Sequence, residues 1–186
     1  MYLRADAGEY VRLDAQPQVD VNERSSMHEA KLSNNARKVQ AALVVFGLDL
    51  VVVEFPESTR TAQEAADAIG CSVEQIVKSL VFQRQPSGHP ILIAASGGNR
   101  VNEKRIKELL GEKIVRADAE FVKEVTGYPI GGVPPLAHTQ PIETIIDEDL
   151  LQYKEIWAAA GTPNAVFRLS PHELALITKG KVEKIT

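Results

Sequence analysis

The sequence holds a single cysteine, Cys71. One thiol excludes an intrachain disulfide framework, and a reducing cytosol is the expected setting. No apolar run approaches the roughly 18 residues of a membrane span, so no membrane partner is expected. The opening residues, MYLRADAGEYVRLDAQPQ, lack the basic start and apolar core of a secretory signal. The four histidines, His28, His89, His138 and His172, are scattered. No pair of them has metal-ligand spacing, and neither a metal nor another cofactor is expected. There is no G-x-S-x-G elbow for a serine nucleophile. Cys71 follows a helix stop with no adjacent residue to activate it, so it reads as core filler or a surface thiol.

Positive charge is not in excess either. Lys and Arg number 21 against 25 Asp and Glu, for a net charge of −4 and a pI of about 5.6. That excludes a protein that coats nucleic acid, because phosphate contacts need concentrated positive charge. A local patch stays open at Lys104, Arg105, Lys107, Lys113 and Arg116, with a solvated helix face as the other reading.

What is present suits one globular domain. The chain has 186 residues, 44% apolar and 25% charged. Residues 1–30 are polar and aperiodic and read as an N-terminal extension, loosely ordered, with Met27 as an alternative start. Residues 31–186 read as a single domain. Ser33 or Asn34 caps a helix that ends at Gly47. LVVVEF (50–55) is a strand. Thr61 and Glu64 form a capping box for a helix that stops at Gly70, and Ser72 with Gln75 marks one short turn. VKSLVFQR (77–84) and PILIAAS (90–96) read as a hairpin. Asn102 caps a helix to Gly111, KIVRA is a short strand, and Asp118 caps a helix to Gly127. IETIID, KEIWAAA and AVFRLS read as later strands, with LLQYKEIW open to a helical start. Pro171 opens a last helix and KVEKI a last strand. This irregular interleaving predicts an α+β fold with a mixed or mostly antiparallel sheet.

Two stretches stand out. In VKSLVFQR, Lys78 shares a face with Leu80 and Phe82, while Val77, Ser79 and Val81 share the other. Neither face is polar, so the strand is expected to be buried on both sides. A lysine there either snorkels to water or sits in a pocket and meets a polar or anionic ligand. The second stretch, TGYPIGGVPPLAH (126–138), carries three glycines and three prolines in thirteen residues. Prolines remove N–H donors and fix φ, and glycines let another group approach the main chain. The loop is thus either a crossover or a rigid ligand cradle, and His138 is either a rim residue or a structural one. SGGNR (96–100) matches no phosphate-binding pattern and reads as a turn.

QIVKSLVF (75–82), GYPIGGVPP (127–135) and AAGTPNAVFRLSP (159–171), in that order, resemble the YbaK and prolyl-tRNA-synthetase-associated editing-domain family. The resemblance covers about residues 30–186. It implies a compact module with a mixed, barrel-like central sheet flanked by helices, and hydrolysis of mischarged aminoacyl-tRNA in trans. The family's functional lysine falls on Lys78, and its G-x-x-x-P loop runs from Gly131 to Pro135. The implied catalytic set is therefore Lys78, Gly131 and Pro135. Ser79, Gly132, Val133, Pro134, His138 and Gly161 are the implied substrate-binding residues. The partners implied are the acceptor end of mischarged tRNA, with a synthetase or elongation factor as an auxiliary. No metal and no protein nucleophile are implied.

Two positions depart from the family's branches. Val166 stands where the cysteine-specific branch carries an acidic residue, and Ser79 where the alanine-specific branch carries asparagine. A small residue such as alanine, 2-aminobutyrate, serine or threonine is expected on the tRNA rather than cysteine. The competing reading is a non-catalytic module that binds a nucleotide or an aminoacyl group, or docks on a synthetase. A different small-ester hydrolase is a third.

Overall fold

The computed structural model of the chain describes residues 2–4, 10–12, 32–56 and 61–186. The chain divides into two compact units, Met1–Lys31 and Leu32–Thr186. In the first, β1 (Tyr2–Arg4) pairs antiparallel with β2 (Tyr10–Arg12). The rest of the extension read from the sequence lies outside the described residues.

The second unit begins with α1 (Asn34–Val45), capped by the Ser33 side chain, and β3 (Val52–Glu54). Next come α2 (Ala62–Ile69), a 3-10 turn at Val73–Gln75, and the hairpin of β4 (Ile76–Gln85) and β5 (Pro90–Ser96). Helix α3 (Glu103–Leu110), β6 (Lys113–Arg116) and α4 (Ala119–Thr126) follow. After the glycine- and proline-rich loop come β7 (Glu143–Asp147), a 3-10 turn at Glu148–Gln152, β8 (Ile156–Ala159) and β9 (Ala165–Leu169). Helix α5 (Pro171–Thr178) and β10 (Lys181–Glu183) complete the unit.

The strands form one mixed sheet in the order β10-β7-β5-β4-β8-β9-β3, with β6 attached to β4. β4 runs antiparallel to β5 and parallel to β8, and β7 runs parallel to both β5 and β10. Alternation along the strands separates two apolar layers. Val77, Val81, Leu92, Ala94 and Ile146 face a core filled by α1, α4 and α5. Phe82, Ile91, Ile93 and Ile145 face the other way, onto Ile106 of α3. Ala65 and Ala66 of α2 cover Ile76 near the start of β4. The architecture agrees with the mixed sheet flanked by helices that the sequence predicts.

The sheet branches at β4. On the edge away from β5, β4 pairs with β8 only at Ile76 and Val77. It pairs with β6 only from Phe82 to Gln85. Residues 78–81 run through the gap between these two neighbours. Thr61, Ala62, Arg116, Ala117 and Trp157 lie around that gap.

Candidate functional site

A cavity of about 390 Å³ opens at the split. Its floor is β4 from Ile76 to Phe82. Because the sheet is divided there, residues from both of its faces reach the cavity. Lys78 and Leu80 come from one face and Ser79 and Val81 from the other. This explains why the middle of a central strand is only half-buried while its flanks are buried. Ala62 and Ala65 of α2, Ala158 and Ala159 of β8, and Ala165 and Val166 of β9 make the wall small and apolar. Ile130, Gly131 and Val133 of the glycine- and proline-rich loop close one side.

Lys78 and Arg116 are the charged side chains in the lining; among the described lining residues none is Asp, Glu, His or Cys. The Lys78 ammonium donates to the Asn99 carbonyl at 2.6 Å. Burial pushes its pKa down; Asp147 acts against burial, while Arg100 and Arg116 act with it. Two polar atoms on the lining residues are buried without a partner: the Ser79 hydroxyl and the Trp157 indole N–H. Buried polar groups are normally hydrogen-bonded, so a pair of orphans on one cavity is a feature to account for.

Of the residues singled out in the sequence, Lys78, Ser79, Gly131 and Val133 meet on this cavity. Gly132, Pro134, Pro135, His138 and Gly161 are not part of its lining and sit in the scaffold behind it. Gly132 accepts a bond from the Gly161 N–H at 2.9 Å and donates to the Pro129 carbonyl at 3.0 Å. A Cβ on Gly132 would sit 2.7 Å from the Thr162 main chain. Gly161 has φ of +93°, and a Cβ there would meet the Asn35 carbonyl at 2.9 Å. Gly132 therefore lets its loop touch the 161–162 loop backbone to backbone, and Gly161 lets that loop approach the first turn of α1. Pro134 and Pro135 are buried, and the His138 Nε2 bonds the Pro134 carbonyl at 2.7 Å across a turn in which Ala137 has φ of +62°. Burial lowers the His138 pKa, although the bond to Pro134 acts against it. Cys71 lies outside the cavity, with its thiol pushed up by burial.

Sequence reading missed Trp157, Arg116, Ile130 and Pro163 as lining residues. Trp157 is the chain's one tryptophan, but nothing local marks it as facing β4. Its register opposite Ile76 comes from a parallel pairing about eighty residues distant in sequence.

Comparison with known proteins bears directly on this site. The aminoacyl-tRNA editing domain family matches residues 56–176, a span that includes the cavity's floor and both loops. YwhH of Bacillus subtilis (strain 168), a protein of uncharacterised function, is 34% identical over 131 residues, 70% of this chain and 83% of its own. A proline--tRNA ligase of Bacillus licheniformis is 33% identical over 91 residues, 48% of this chain. That match spans only 16% of the ligase. The crystal structure of a candidate trans-editing enzyme for prolyl tRNA synthetase superposes with a TM-score of 0.80 at 48% identity, covering 84% of this chain and 99% of that one. The chain belongs to the aminoacyl-tRNA editing domain family.

Proposed function

We propose that this chain is a hydrolase that removes the amino acid from mischarged tRNA in trans, with a small residue such as alanine, 2-aminobutyrate, serine or threonine as its substrate. The observation that supports it is the composition of one cavity. A half-buried ammonium, a strand segment that lacks a neighbouring strand on one edge and a glycine-bearing loop meet there within an otherwise apolar wall of alanines and valines.

In this reading a water oxygen bonds to the ester carbonyl carbon. The carbonyl oxygen takes the negative charge, and the Lys78 ammonium stabilises it or anchors the substrate beside it. The C–O bond to the ribose then breaks, and the ribose oxygen leaves with a proton. With no carboxylate or imidazole on the wall, a neighbouring ribose hydroxyl carries the proton traffic. An aminoacyl ester is already activated, so positioning and electrostatics supply the acceleration needed. No metal enters this scheme. In this reading the Ser79 hydroxyl and Trp157 N–H gain partners among the polar atoms of the aminoacyl group or the terminal ribose. Val166 on the wall offers no carboxylate, in keeping with a substrate other than cysteine.

A panel of mischarged tRNAs tests this. Release of one small amino acid well above the spontaneous rate is expected. It should fall by about 100-fold in Lys78→Ala, the scale of losing one transition-state donor. Gly131→Ala is expected to slow it as well, because Gly131 has φ of +86° and an alanine there is strained by about 1–2 kcal/mol. No release from any tRNA would sink the proposal. Binding of a non-hydrolysable aminoacyl-adenosine analogue, read from Trp157 fluorescence, with no turnover of the matching tRNA would make the cavity a binding module instead.

A further inference from the structure

The turn SGGNR is more than a connection. Ser96 donates its N–H to Asp147 Oδ2 at 3.0 Å and its hydroxyl to the Glu74 carbonyl at 2.7 Å. Gly97 presses so closely on the preceding 3-10 turn that a Cβ would fall 2.0 Å from the Val73 carbonyl oxygen. Asn99 donates its N–H to the Ser96 carbonyl at 3.0 Å, closing the turn. Its side-chain amide reaches two carboxylates, Asp147 Oδ2 at 2.8 Å and Asp149 Oδ2 at 2.7 Å. Its main-chain oxygen receives the Lys78 ammonium.

Asp147 is the hub of this arrangement. It is 1% exposed. Besides Ser96 and Asn99 it accepts the Asp149 N–H at 3.2 Å on Oδ1. A buried carboxylate with three N–H donors is held in one orientation, and removing a partner from such a group is costly. Asp147 occupies the last position of β7, beside the end of β5 that leads into the turn. The chain of contacts is therefore continuous: Asp147 and Asp149 fix the Asn99 amide, and Asn99 presents its carbonyl to Lys78. None of the three lines the cavity; they stand behind its one lysine.

We infer that Asp147, acting through Asn99 with Asp149, is the positioning residue for Lys78, fixing the ammonium at the cavity wall. The inference rests on the proposed role of Lys78 for its catalytic consequence, and on the chain of hydrogen bonds from Asp147 through Asn99 to Lys78 for the coupling. The charges that act on the Lys78 titration are Asp147 of β7, Arg100 of the turn and Arg116 of β6. Asp147 favours the ammonium and the two arginines oppose it. The coupling therefore has opposite signs at two positions that can be changed separately.

The experiment measures the Lys78 titration directly, by carbon-detected NMR of lysine side chains with the signal assigned by Lys78→Arg. Asp147→Asn keeps the shape, removes the charge and turns an amide NH2 toward at least one of the N–H donors, so the Lys78 midpoint should move to lower pH. Arg100→Gln, an exposed turn residue, should move it to higher pH. On the matching mischarged tRNA, the alkaline limb of the kcat profile should move in the same two directions while KM changes little. A loss that is equal at every pH, or a midpoint that stays at the wild-type value in Asp147→Asn, would overturn the inference. If Asp147→Asn fails to fold, Asn99→Ala, which removes the amide held by Asp147 and Asp149 and keeps the carbonyl, should lower kcat with little change in KM, and an unchanged kcat would overturn the inference. Should the wild type release no amino acid, the functional proposal falls, and the NMR midpoints still decide the coupling by themselves.

Discussion

Gly131 and Gly132 are neighbours in the chain with different physical reasons to be glycine. Gly131 has φ of +86° and borders the cavity. Gly132 is buried against Thr162, thirty residues later, and its glycine identity comes from that contact. Sequence reading grouped both as parts of a ligand cradle, because a crowded backbone and an open one look alike in a string of letters. The same limit hid the orphaned Trp157 N–H, whose surroundings are set by distant strands. Lys78 was legible as an anomaly, since a charge in an apolar strand is conspicuous wherever the strand goes. Gly132→Ala tests the distinction. The new methyl would meet main-chain atoms at 2.7–2.9 Å, which cannot yield as a flexible side chain would. A loss of about 1–3 kcal/mol is expected from overpacking, read as a lower urea midpoint at unchanged slope. An unchanged midpoint would show that the two loops separate easily.

At the scale of elements, helix ends were the most legible part of the fold. Thr61, Asn102 and Asp118 each cap a helix through their own side chains as expected, Ser33 rather than Asn34 caps the first, and Ser170 caps the helix that Pro171 opens. Gly70, Gly111 and Gly127 each end one in the left-handed conformation. These signals are local, acting over three or four residues, so they survive without tertiary information. The order of strands does not. Nothing in KIVRA announces that β6 joins the far half of β4, yet that branch is what opens the cavity. Helix α2 links the two kinds of information. Its capping box holds Thr61 and Glu64 together, and its Ala62 and Ala65 line the cavity. Thr61→Ala is therefore expected to cost about 1 kcal/mol. It should also raise KM for the aminoacyl substrate, with faster amide exchange confined to 62–69. Loss of stability spread evenly over the sheet would contradict this local account.

The whole molecule carries a net charge of −4, an unpromising balance for a protein proposed to act on tRNA. The distribution matters more than the sum. Arg116 reaches the cavity, and Lys104, Lys107 and Lys113 are exposed on α3 and β6. Arg105, in the same cluster, instead donates its Nε–H to the Lys184 carbonyl at 2.7 Å, tying α3 to the C-terminal segment. The cations this cluster leaves free to meet phosphates are Lys104, Lys107, Lys113 and Arg116. A surface of this kind suits recognition of the acceptor end alone, with most of the tRNA body untouched. Each phosphate neutralised steepens the fall of affinity with salt, and six to ten of them cost about 10³–10⁵ between 50 and 200 mM. With these four cations at most about four phosphates count, so kcat/KM should fall by no more than roughly 100-fold over that range. A mischarged acceptor-stem minihelix should then react within about tenfold of the full tRNA, because the contacts it lacks carry little of the binding. A steep salt slope with a poor minihelix would instead require a second, extended contact with the tRNA body.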